Sequence, residues 1–121
     1  MNAKQVFKVL ELFPDIGFAL DLGHLNNGVG RNLLGSTVDA FIESIKHRIV
    51  YIHANNNDGI GDQHLGLDSG SLDWCAVLDM LETDRIRKII IEVCSADYLA
   101  TSRRALCSYF EERSAASKLS S

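Results

Sequence analysis

The chain has 121 residues, of which 46% are hydrophobic and 23% charged, and its formal net charge is −4. This is apolar material enough for one domain, or for part of a larger one, while an acidic balance without a run of Lys or Arg argues against a surface built to grip nucleic acid. A small phosphorylated metabolite is not excluded, since it needs only one or two cations.

Residues 3 to 13 read as an amphipathic helix with Val6, Phe7, Val9, Leu10 and Phe13 apolar, ended by Pro14 and Asp15. Ile16 to Leu20 then reads as a short buried strand. Residues 22 to 35 are Gly- and Asn-rich and read as a long loop. Ser36 or Thr37 caps a second helix whose buried stripe is Val38, Phe41, Ile42 and Ile45. Ile49 to His53 is a second strand, followed by another long Asn- and Gly-rich stretch from 54 to 72. Asp73 caps a third helix carrying Trp74, Val77, Leu78 and Leu81. Ile89 to Val93 is the third strand, and Ser95 or Asp97 opens a last helix reaching about Arg113. Residues 114–121, SAASKLSS, read as a flexible tail.

No apolar run approaches the length of a membrane span. MNAKQVFKVLELFPD lacks the pattern of a secretory leader. Cys75, Cys94 and Cys107 form no CxxC pair, so neither a disulfide framework nor a thiolate zinc site is expected. A cytoplasmic setting follows.

Helices alternating with strands give an α/β fold with a parallel sheet. Both long stretches follow the C-terminal end of a strand, the working face of such folds. Strand alternation puts Gly17, Ala19 and Asp21 on one face, then Ile49, Tyr51 and His53, then Ile90 and Glu92. The opposite face is wholly apolar. Each strand thus ends in one potential ligand, and Asp21, His53 and Glu92 converge at equivalent positions. Two carboxylates and an imidazole suit Mn²⁺, Mg²⁺, Zn²⁺ or Fe²⁺. A cation would also offset the charge of Glu92 in the apolar run KIIIEVC; an ion pair with Arg48, Arg85 or Arg87 is the competing explanation. His24, three residues beyond Asp21, and the Asp62-x-His64 pair are further candidates. His47, in KHR at a helix end, reads as structural, and GVGRNLLG is a poor dinucleotide loop because Leu33 stands where a third glycine belongs.

GFALDLGH, YIHANNNDGIGDQHLGLDSGSLDW and IIIEV, in that order, resemble the xylose isomerase-like TIM barrel superfamily, nearest to sugar phosphate isomerases/epimerases and endonuclease IV. The resemblance runs from about Ile16 to Val93. It implies a partial (β/α)8 barrel over residues 1–113, with three strands corresponding to the sixth, seventh and eighth. A full barrel takes about 250 residues, so the early strands and a further ligand Glu would come from elsewhere. Asn56 stands where the family usually has Asp, and Asp68 replaces the first glycine of G-x-G, at a position that can require positive φ.

The resemblance implies Asp21, His53 and Glu92 as ligands of a divalent metal (Mn²⁺, Mg²⁺ or Zn²⁺), with Asp62 and His64 matching further ligands. Glu92 would also be the acid/base, with His24, Asn55 and His64 contacting substrate and His24 sharing the catalysis. The implied activity is sugar or sugar-phosphate isomerisation or epimerisation by proton transfer next to a carbonyl, in a chain completed by other strands or by self-association. The alternatives are an endonuclease IV-like zinc phosphodiesterase on abasic DNA, and an inactive fragment or assembly module.

Overall fold

The computed structural model describes residues 2–120. Met1, and Ser121 at the end of the expected tail, lie outside the described residues. Eight main elements follow in order: α1 (Ala3–Leu12), β1 (Phe18–Asp21), α2 (Leu22–Gly30), α3 (Val38–Ile45), β2 (Ile49–Ala54), α4 (Trp74–Asp79), β3 (Lys88–Ile91) and α5 (Ala96–Ser120). The three strands form one parallel sheet in the order β1-β2-β3. Helices cover one side of it, as the apolar alternation requires.

That covered side holds the core. Leu20 and Ile52 are fully buried against Phe41, Ile42 and Ile45 of α3 and Leu22 and Leu25 of α2. Trp74, Val77 and Leu78 of α4 join the same cluster, with Leu106 and Tyr109 of α5. The caps are those the side chains predict: Thr37 accepts from Ala40 N and Asp73 from Ala76 N, while the Ser95 hydroxyl accepts from Tyr98 N.

Five local expectations are corrected. Ile16, expected in β1, is 45% exposed and lies ahead of the strand. Its carbonyl is taken by the Arg48 guanidinium, which also reaches the carbonyls of Leu10 and Phe13 and so bolts the turn after α1 to the start of β2. Ile49, expected beside Tyr51, is only 1% exposed and belongs to the core. The register shifts here: Phe18 pairs with Ile49 but Ala19 pairs with Tyr51, leaving Val50 as an extra residue that turns Ile49 to the covered side.

The third correction is α2, in the segment read as a loop. Asp21 caps it, its Oδ1 accepting from His24 N at 3.0 Å. Leu22 and Leu25 supply the buried stripe. The glycines and asparagines that hid the helix are there for close packing: a Cβ on Gly23 would lie 1.9 Å from Asn55 Oδ1, and one on Gly30 would lie 2.2 Å from Gly59 O. Tertiary contact outweighs propensity here. The fourth is Asp68, which does not have positive φ. It sits in a short 3₁₀ turn, Leu67–Ser69, and accepts from Trp74 Nε1 at 2.8 Å. The last helix runs to Ser120 rather than stopping near Arg113.

Candidate metal centre

The uncovered side of the sheet carries the polar strand ends. Asp21 closes β1, His53 lies near the end of β2, and Glu92 follows β3. Glu92 N still donates to Ala54 O at 3.0 Å, so the ladder holds the register one residue past Ile91. The side chains of Asp21, His53 and Glu92 each offer a ligand atom within 4.8 Å of the others. His53 Nδ1 is 3.8 Å from Asp21 Oδ2 and 3.5 Å from Glu92 Oε1. Those separations are too long for good hydrogen bonds. They are near the roughly 3.4 Å expected between atoms about 2.1 Å from one shared tetrahedral ion. The donor set therefore fits a divalent cation: two carboxylates and an imidazole face one another without satisfying one another.

Glu92 is not the fully buried charge its sequence suggests, because its side chain is 39% exposed on the uncovered face. The Arg partners considered for it are occupied elsewhere or absent. Arg48 bonds backbone carbonyls, Arg85 pairs with Glu82, and Arg87 forms no ion pair among the described residues.

Asp21 is held in place from below. Asn55, wholly buried, donates its Nδ2 to Asp21 Oδ1 at 3.2 Å, which together with the His24 N–H leaves Oδ2 directed at His53 and His24. His24 Nδ1 lies 3.8 Å from that oxygen, with a side chain 56% exposed. His64 sits in the left-handed region at φ 53, a conformation seldom kept without a structural reason. Here the reason is a clasp: Nδ1 lies 2.9 Å from the Glu92 carbonyl, and the His64 carbonyl accepts from Cys94 N at 2.9 Å. The bond to the Glu92 carbonyl raises the His64 pKa above its ordinary value, and Asp62 contributes further. Asp62 Oδ1 is 3.1 Å from His64 Nε2. Asp62 and His64 thus pair with each other beside Glu92 and are not part of the converging group of three.

No protein-family model matches the chain. It is 29% identical over 82 residues to an uncharacterized protein of Methanocaldococcus jannaschii, covering 61% of this chain and 26% of that protein. Its fold superposes on a crystal structure of a D-tagatose 3-epimerase-like protein with a TM-score of 0.65 and 27% identity, covering 85% of this chain and 39% of the other. The chain resembles part of a xylose isomerase-like TIM barrel. It spans well under half the length of either protein it matches.

In that barrel frame, the covered side of the sheet is the outer face and the Asp21–His53–Glu92 side is the inner one. Sequence reasoning missed two features. The Asn55-Asn56-Asn57 run looks like a solvated loop but is completely buried. Asn56 donates to the carbonyls of Leu67 and Leu72 and accepts from Asn57 N and Leu72 N, so every hydrogen-bonding site of its amide is used. A carboxylate there would face two carbonyl oxygens. Asn57 donates to Gly23 O and accepts from Asn26 and Gly59, locking the loop onto α2. The second missed feature is the polar face of α2, containing Asn27 and Arg31. Reading 22–30 as a helix would have revealed it, since His24, Asn27, Gly28 and Arg31 share one stripe.

Proposed function

We propose that this chain carries the metal-binding and proton-transferring part of a divalent-metal-dependent sugar or sugar-phosphate isomerase/epimerase. The observation that supports it is the convergence of Asp21, His53 and Glu92 at the C-terminal ends of three adjacent parallel strands. The likeness to a D-tagatose 3-epimerase-like structure points the same way. Asp21, His53 and Glu92 would hold the cation, Mn²⁺, Mg²⁺ or Zn²⁺, and Asp62 and His64, paired with each other beside Glu92, would contact substrate. When bound, the cation offsets the two carboxylates and polarises neighbouring substrate oxygens.

The protein's own part is proton movement. In ketose–aldose isomerisation Glu92 takes the proton from the carbon beside the substrate carbonyl and returns it to the adjacent carbon; in epimerisation a second acid, from the completing strands, returns a proton to the opposite face of the same carbon. One C–H bond breaks, another forms, and the electron pair stays in the substrate. His24, exposed and 3.8 Å from Asp21 Oδ2, carries the proton that passes between the two substrate oxygens. Asn55 positions Asp21 and, being buried, meets substrate only through it. The remaining inner-face cover comes from further strands or from a second copy.

The test is metal analysis of the purified chain together with ketose–aldose interconversion in the completed enzyme. Glu92→Gln is expected to lower the rate about 100-fold or more; a wild-type rate would remove Glu92 from the reaction. The Asp62–His64 pair favours a second reading, zinc phosphodiester chemistry on abasic DNA. A nick in an abasic duplex without sugar turnover would select it.

A further inference from the structure

His24, Asn27, Gly28, Arg31, Leu33 and Asp62 line a cleft of about 200 Å³ opening beside the Asp21 end of the metal group. Four of them lie at i, i+3, i+4 and i+7 on α2 and its cap, one continuous stripe. The Arg31 backbone is firmly placed: its N–H donates to Asn27 O at 2.9 Å, and Asn32 then takes φ 55 and ends the helix. Its guanidinium has no ion-pair partner among the described residues, because the acid in the cleft, Asp62, lies against His64. Asn27 Oδ1 is buried without a hydrogen-bond partner. Helical side chains lean toward the helix N-terminus, so Arg31 reaches back along the stripe toward His24, about 10 Å away along the axis.

We propose that this cleft is the subsite for a phosphate group on the substrate, with Arg31 as its anchor and the Asn27 amide taking a neighbouring hydroxyl. The assignment of the reacting end to Asp21, His53 and Glu92 rests on the function proposed above; the anion subsite itself does not. The cation stands unpaired in a chain of net charge −4, next to a site rich in carboxylates. A guanidinium so placed offers parallel N–H groups to a phosphate and sets it at a sugar's length from the reacting carbons. An arginine serving only the dipole at a helix C-terminus would show no phosphate preference.

Two measurements on the 121-residue chain decide it. Inorganic phosphate, titrated by NMR, is expected to move the Arg31 Nε–H and Asn27 amide signals. Calorimetry is expected to show D-ribulose 5-phosphate binding about 10-fold or more tighter than D-ribulose. Arg31→Gln removes that preference and Arg31→Lys keeps part of it. Phosphate shifts confined to other residues, or a preference that survives Arg31→Gln in a variant with a wild-type melting curve, overturns the proposal. So does binding of an abasic duplex through Arg31 without binding of the ketose phosphate. Phosphate shifts at Arg31 with no binding of either ketose uphold the anion subsite and count against the sugar reading instead.

Discussion

Asn55 is the residue that connects the buried interior to the candidate metal centre. Its Nδ2 donates to Asp21 Oδ1 while its Oδ1 lies packed against Gly23 without a hydrogen-bond partner. Reversing the amide would set two oxygens 3.2 Å apart, so the donor must face Asp21. Asn55→Asp keeps the shape and replaces that donor with a second buried carboxylate. The expected cost is about 1–3 kcal/mol of stability, with metal affinity falling about 10–100-fold as a supporting partner is lost. Urea denaturation and a metal titration measure the two; unchanged values would show that Asp21 needs no support. The converging three were legible in the sequence because a period of two is a local rule: Asp21, His53 and Glu92 each close a short β-branched or apolar run. The supporting amides were not. Polarity alone reads as surface, and only partners 31 to 34 residues away reveal that Asn26 donates to Asn57, Asn57 to the Gly23 carbonyl and Asn55 to Asp21 indoors.

At the scale of elements, α1, α3, α4 and α5 follow from apolar stripes and capping side chains. The hidden helix is α2, whose glycines and asparagines answer to neighbours distant in sequence rather than to helix propensity. The misplaced Ile49 has a similar cause, since an extra residue at Val50 resets an alternation that only the strand pairing discloses. The last helix is fixed to α4 by a cluster that no local pattern announces. Tyr109 donates to Asp79 Oδ1 at 2.6 Å, and Arg113 bonds the same carboxylate and stacks 3.7 Å from the Tyr109 ring centroid. Burial, reinforced by Asp79, pushes the Tyr109 hydroxyl from 10.0 up to about 12. The folded protein therefore keeps a proton that the unfolded chain releases first. This contribution to stability is complete below the unfolded value and is lost as pH rises from about 10 to about 12, amounting to at most about 2.7 kcal/mol. Urea midpoints measured across that interval are expected to fall, and to fall less in Tyr109→Phe. An identical slope in the two proteins would mean that other groups dominate alkaline unfolding.

The whole molecule is a sheet with one dressed side and one bare side. Among the described residues β1 and β3 are both unpaired at their outer edges. The inner face exposes Tyr51 by 37% and Ile90 by 41%, directly below the polar strand ends. Two open edges and an apolar face invite pairing with further strands. Because β1 and β3 run parallel, the β3 edge of one copy can accept the β1 edge of another in the same sense, continuing the curvature of a barrel. The chain alone is accordingly expected to self-associate as its concentration rises. Sedimentation velocity would show this as a growing population heavier than the monomer. Replacing Tyr51 and Ile90 together by Lys places two charges on the bare face without touching the covered core, and is expected to return the chain to monomer. If the wild-type chain stays monomeric throughout, the inner face is tolerated in water and association has no part in completing the site. If the double variant associates as the wild type does, the contact lies elsewhere, with the apolar groove of Ile89, Ile91, Leu106 and Phe110 outside β3 as the next surface to charge.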